Sequence, residues 1–255
     1  MKTLIQFFFL LFLFINSLAF GQELQVDSAF YKEQGIINKY AYMLDLKYPK
    51  FNFGPDALMG VRGIASDMNT YIDTLEKSWV KGFKENLNLF TYDTAFNDMT
   101  SELVTDYKTS YAMNSFVSIE LSCYEFIAGT AHPNYFTQTY NFDFNACVLS
   151  FADLFKENSV NKDGYLKFVS EYCKKSLIEQ QEKNGMTGME DMISDGTAPK
   201  PDNYKNFVVD EKGITIIFNP YQAGPYAVGE QRVFIPKIDI SGYVNSGGPL
   251  SFWWK

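Results

Sequence analysis

The sequence predicts an α+β protein: a mostly antiparallel sheet with helices packed on one side, arranged as two small α/β subdomains in tandem. Three observations lead there. Val117, Ile119 and Leu121 alternate with Ser118, Glu120 and Ser122, the two-residue period of a strand. Two other stretches, 56–80 and 164–183, repeat their apolar residues every three or four positions, the period of an amphipathic helix. The elements follow one another as β-α-β-β-β-α-β-β-β, an order that suits strands joined by turns with helices laid over them.

Taken in order, residues 27–53 alternate weakly and are rich in Tyr and Phe, and they read as one or two strands ending at Pro49. The helix of 56–80 carries Val61, Ile64, Met68, Tyr71, Ile72, Leu75 and Trp79 on one stripe. A polar connection rich in Asn and Asp runs to about Thr105. From Tyr111 to Ala128 the pattern is that of one long strand. The turn at 129–134 leads into Phe136, Tyr140, Phe142 and Phe144, which alternate with polar residues and complete a hairpin.

Residues 148–151 read as a short strand ahead of the second helix. Residues 184–203 hold a few Met and Ile among Gly, Asp, Thr and Pro and read as an irregular excursion or mobile loop. Two strands follow at 207–209 and 214–218, joined by the turn at 210–213, and a last strand at 232–235 is stopped by Pro236.

Composition narrows the function classes. The chain has 255 residues, enough for a sizeable core. Its net charge is −8, which disfavours binding to nucleic-acid phosphates and to anionic membrane surfaces. A single His and three Cys leave little material for a zinc site or a His-dependent triad. No metal and no cofactor are expected.

Residues 1–21 have the layout of a secretory signal peptide: a basic start at Lys2, an apolar run from Leu4 to Ile15, and Ala19-Phe20-Gly21 as a cleavage site. The domain plan is therefore a signal peptide at 1–21, an N-terminal α+β domain at 22–128, a C-terminal α+β domain at 129–245, and a tail at 246–255. No membrane span is expected after cleavage, and the protein is expected to be exported, to the periplasm or beyond the cell. Cys123 and Cys147 are the one candidate disulfide in such a compartment, although three buried free thiols suit the pattern better.

Three segments could carry chemistry. Thr130-Ala131-His132-Pro133-Asn134-Tyr135 holds the single histidine in a turn. A turn histidine that bonds the loop backbone or packs on Tyr135 explains it most simply; ligand contact comes second and catalysis third, because no Ser or Cys has a nucleophile's setting. Ser159 to Gly164 resembles half a calcium loop but lacks both acidic anchors, and helix capping explains it. The run from Asn219 to Gly229, with two Pro and two Gly, reads as a stiff loop holding Tyr221 and Tyr226. Tyrosines held this way bind partners at low entropic cost, or else plug the end of the sheet; both readings stay open. Exposed aromatics also suit stacking on sugar rings.

Two blocks carry a resemblance. Gly129-Thr130-Ala131-His132-Pro133-Asn134, followed by Tyr140-Asn141-Phe142-Asp143 and Leu149 to Phe155, forms the first. The second runs from Gly213 through Asn219-Pro220-Tyr221 and Gly224-Pro225-Tyr226-Ala227 to Ile235-Pro236. Together they are similar to a paired domain of unknown function found in exported bacterial proteins. Its bearers include RsiV-type lysozyme-sensing anti-sigma factors and the region ahead of the catalytic domain in PdaC-type peptidoglycan deacetylases. Residues 27–128 look more loosely like the partner domain. One departure stands out: the family's Gly-Lys turn is Ala146-Cys147 here.

The resemblance implies a sensing or binding module without the catalytic domain. The expected function is an exported, non-catalytic binding module for a cell-envelope component or a secreted protein. The partners implied are a lysozyme-like muramidase or a peptidoglycan fragment, and the contact residues expected are His132, Asn134, Tyr135, Tyr221 and Tyr226. A hydrolase acting on envelope glycans or peptides is the alternative, and a structural envelope protein the second alternative.

Overall fold

A computed structural model describes residues 23–55, 57–89, 94–96, 98–113, 115–156 and 164–254. The expected signal peptide at 1–21 and most of the calcium-like stretch at 159–164 lie outside the described residues.

Five strands form the larger sheet, in the order β1-β2-β3-β4-β5. β1 (Leu24–Ile37) and β2 (Tyr40–Phe53) form an antiparallel ribbon. Its two-residue turn is Asn38-Lys39, with φ of 48° and 70°. Both values are positive, the geometry whose twist matches paired strands. Pro49 does not end β2. It lies past Leu46, the last β2 residue paired with β3, so its missing N–H interrupts no bond to that strand.

The helix α1 (Met59–Leu89) connects β2 to β3 (Thr100–Met113), which pair in parallel as Ala41–Leu46 with Thr100–Thr105. α1 is one crossover long and runs nine residues beyond Val80. β4 (Phe116–Phe126) and β5 (Asn134–Asp143) complete the sheet, both antiparallel. Of the polar connection expected up to Thr105, residues 81–89 continue α1 and residues 100–105 open strand β3. The single long strand expected from Tyr111 to Ala128 is two strands broken by a turn before Phe116. Its polar composition concealed β3, because Glu102, Thr105 and Asp106 interrupt the apolar alternation. β5 follows the boundary expected at residue 128 in sequence, yet it pairs along its length with β4.

α1 lays a buried stripe on one face of this sheet: Ala65, Met68 and Ile72 against Val117, Ile119, Leu121 and Phe142, and Phe83 and Leu87 against Leu44, Leu46 and Leu103. Each fully buried Leu, Ile or Phe there contributes about 1.5–3 kcal/mol relative to exposure. The opposite face receives a second, three-stranded sheet of β6 (Phe207–Val209), β7 (Gly213–Phe218) and β8 (Gln231–Pro236). Its core also takes the helix α2 (Gly164–Lys183), through Leu166, Val169, Cys173 and Leu177.

Side chains join the two sheets. Ser118 Oγ accepts from Val209 N at 2.9 Å, Thr139 Oγ1 accepts from Phe207 N at 2.8 Å, and Asn141 Nδ2 donates to Phe207 O at 2.9 Å. The outer edge of β6 is thereby satisfied without another strand, as a buried edge must be. Glu120, 7% exposed, takes the Arg232 guanidinium from β8 at 2.7 Å in the same layer.

The stretch 184–203 is ordered rather than an irregular excursion. It contains α3 (Glu190–Gly196) and a tight turn at Pro201–Tyr204, with Ile193 and Tyr204 buried. Residues 148–151 form one bridge, Val148 to Phe142, instead of a strand. After α4 (Lys237–Ile240), the segment expected as a tail folds back, burying Leu250 and Trp253; Trp253 Nε1 donates to Asp210 O at 2.8 Å.

All three cysteines are free: Cys123 and Cys173 buried, Cys147 exposed. Cys123 lies opposite Phe136 on β5, whereas Cys147 is held at Asp143, seven residues further along. That is about 23 Å at strand rise, far more than a disulfide spans.

Candidate functional site

The two loops that the sequence singled out separately meet at one end of the larger sheet. The first is the β4–β5 turn. Gly129 takes a φ of 93°, and Thr130 Oγ1 donates to Ile127 O at 2.8 Å to close it. His132 is exposed, with Nδ1 2.8 Å from the Pro133 carbonyl oxygen. Asn134 is exposed and pairs in register with Glu125, while Tyr135 faces Tyr124 across the strands.

The second loop runs from Asn219 to Gly229 between β7 and β8. Asn219 fixes its start. Its side chain accepts from Thr137 N at 2.8 Å and donates to Thr137 O at 2.9 Å, copying a strand partner on the free edge of β5. Asn69 of α1 does the same for Phe51 on β2, at 2.8 Å in both directions. Further along, Gln222 packs against Gly196 of α3, where any Cβ would lie 2.1 Å from the Gln222 carbonyl oxygen. Gly229, with φ of 77°, turns the chain into β8 beside Glu230, which accepts from the Thr137 hydroxyl.

These anchors set Tyr226 in the middle of an aromatic cluster. His132 stacks on it with ring centroids 4.1 Å apart and planes 29° from parallel. Tyr135 meets it edge-on at 5.4 Å, and Tyr221 lies 5.7 Å away, tilted by 35°. The Tyr226 hydroxyl donates to Pro133 O at 2.7 Å, locking one loop to the other. Tyr221 is 60% exposed and sits at φ of 70°, so its ring projects from a conformation that few non-glycine residues adopt. Partial burial, then the neighbouring Tyr135, Tyr221 and Tyr124, hold the Tyr226 phenol above its ordinary value.

Four of the five residues expected at the site thus touch through Tyr226, and Asn134 flanks them. Tyr124, 37% exposed and opposite Tyr135, extends the face and was missed. Its signal was there: it ends the alternation of β4 on the side away from Cys123. Aromatic faces of this kind offer flat apolar surface with polar tips, suited to stacking on a ring or anchoring a protein partner. Among the described residues no group of three or more His, Cys, Asp or Glu is placed to hold a metal ion.

One departure from the expected motif has a visible result. Ala146, where the resemblance has Gly, takes a φ of 60°. Asp143 holds that turn, its Oδ1 accepting from Asn145 N at 2.8 Å and Cys147 N at 2.9 Å.

Comparison with known proteins agrees with the resemblance to a domain of unknown function and to PdaC-type deacetylases. Residues 152–237 match the family described as "Protein of unknown function (DUF3298)". Over 141 residues, 54% of this chain, the sequence is 35% identical to peptidoglycan-N-acetylmuramic acid deacetylase PdaC of Bacillus subtilis (strain 168). That match spans only 28% of the Bacillus protein. A solved DUF3298 family member from Bacteroides fragilis NCTC 9343 shares the fold, with a TM-score of 0.62 at 19% identity, covering 92% of this chain and 98% of that one. A second, from Pseudomonas aeruginosa PAO1, has a TM-score of 0.53 at 15% identity, covering 88% and 94%.

Proposed function

We propose that this protein, with its DUF3298 segment and its likeness to part of a peptidoglycan deacetylase, is an exported, non-catalytic binding module of the cell envelope. The observation that carries the reading is the convergence of two separate loops on one exposed aromatic face, His132, Tyr135, Tyr221 and Tyr226. Its ligand is a peptidoglycan fragment, whose sugar rings stack on Tyr221 and Tyr226 while Asn134 meets the hydroxyl and acetamido groups. The similar Bacillus protein is named for an activity on peptidoglycan N-acetylmuramic acid, which supports this choice of substrate class. Export rests on residues 1–21, and among the described residues no helix is long and apolar enough to cross a membrane.

A second reading is favoured by charge. The net charge of −8 suits a basic secreted protein, and the resemblance to lysozyme-sensing factors points to a muramidase. Calorimetric titration of the protein with soluble muropeptides, and in parallel with a basic lysozyme at low and moderate salt, separates the two. Saturable heat from muropeptides supports the glycan reading. One-to-one lysozyme binding without muropeptide binding moves the target to a protein. Silence in both titrations removes the binding function.

A further inference from the structure

A groove of about 590 Å³ lies between α1 and the β1–β2 ribbon, and it shares no residue with the aromatic face. Its walls are apolar at Leu46, Tyr48 and Val80. Glu76 also lines it, although the side chain is 4% exposed and its Oε1 has no hydrogen-bond partner. Among the described residues the other oxygen accepts only from Thr105 Oγ1, at 3.4 Å, a hydroxyl equally close to Lys47 O. Buried polar atoms without partners are rare, and one at the wall of a groove points to a donor that arrives with a ligand.

The lip of the groove is mixed in charge: Asp73, which lies 3.9 Å from Lys50, and Glu85 line it together with three lysines. Lys77 has no ion-pair partner among the described residues, and Lys81 only brushes Glu85 at 3.7 Å, both groups well exposed. Lys84, in contrast, is held by Glu33 at 2.7 Å and is already engaged. Glu76 and Lys81 stand five residues apart on the helix, about 7.5 Å along its axis. The groove therefore offers a carboxyl at depth, an apolar wall, and two available cations at its mouth.

We propose that this groove is a ligand site for a short apolar peptide, taken by its free amino group: the ammonium donates to Glu76, apolar side chains cover Leu46, Tyr48 and Val80, and the carboxylate end lies between Lys77 and Lys81. An extended dipeptide spans about 7 Å and a tripeptide about 10 Å, the scale of that axial separation. An ammonium is the strongest donor a lone carboxyl can meet, since both partners are charged when paired. Binding here is independent of the proposed glycan face.

The test is calorimetric titration of the protein with trileucine, N-acetyl-trileucine and trileucine amide. Trileucine is expected to bind saturably, with affinity reduced at least tenfold by N-acetylation and several-fold by amidation. Glu76→Gln keeps the shape and the acceptor but loses the charge, and is expected to lower trileucine affinity at least tenfold. Circular dichroism of that variant checks that it folds. No saturable binding of trileucine overturns the proposal, as does equal binding of the acetylated peptide. Unchanged affinity in Glu76→Gln overturns the role of Glu76.

Discussion

The Tyr226 hydroxyl donates to the Pro133 carbonyl at 2.7 Å, across 93 residues of sequence, and this bond ties the two loops of the aromatic face together. Tyr226→Phe keeps the ring and its stacking on His132 but loses the bond. It is expected to cost about 1 kcal/mol in urea unfolding, the net value of one hydrogen bond. Tyr226→Ala removes the ring that His132, Tyr135 and Tyr221 all touch, and is expected to cost roughly twice that or more.

Asn219 acts as a one-residue strand partner for β5, with two bonds to Thr137. Asn219→Ala leaves that N–H and C=O without partners at a half-buried edge. The expected loss is about 1–3 kcal/mol, read from the urea midpoint. Amide hydrogen exchange at Thr137 should accelerate in the same variant, and unchanged protection there would mean that another group holds the edge.

The β4–β5 hairpin, the second helix, the β6–β7 hairpin and β8 are legible because their apolar periods are regular. Other features are not. Ser118, Thr139 and Asn141 look like the solvent face of a hairpin, yet they are buried and bond the backbone of β6. Alternation says which side is polar; it does not say whether water or another sheet covers it. Residues 184–203 were read as irregular because α3 has only seven residues, too few to show a period. Its Gly196 nevertheless supports the Tyr221 loop through the Gln222 backbone. The aromatic residues were found as two loops, and their meeting could not be read from either. Glu76 continues the spacing of Met68 and Ile72, but a carboxylate is not expected on an apolar stripe.

Ala146 occupies the left-handed region at φ of 60°, where glycine carries no Cβ penalty. Ala146→Gly is expected to stabilise the protein by about 0.5–1 kcal/mol, the relief of strain exceeding the entropy that glycine adds to the unfolded chain. A lower melting temperature for the variant would show that the packing of Ala146 outweighs its conformation.

Burial raises the Glu76 carboxyl to about 7, against an ordinary value of 4.5, with the Thr105 hydroxyl opposing weakly. Because the folded value is the higher one, the folded state holds the proton more tightly. The contribution of this group to stability is fully present below pH 4.5 and is lost as pH rises through about 7. Glu76→Gln removes this dependence. Its melting temperature should exceed the wild type's at pH 8, by an amount corresponding to about 3 kcal/mol at most, and the gap should close by pH 4.5. A gap that is constant across this range would place the effect elsewhere.

If the exposed aromatic face binds the ligand, Tyr221 is the residue to remove, being the most exposed tyrosine of the cluster at 60%. The measurement is calorimetric titration of soluble muropeptides into the wild type and into Tyr221→Ala. Saturable binding by the wild type is expected, with at least a tenfold weaker affinity in the variant and an unfolding free energy within about 1 kcal/mol of the wild type's. Equal affinity in the two proteins would contradict binding at this face.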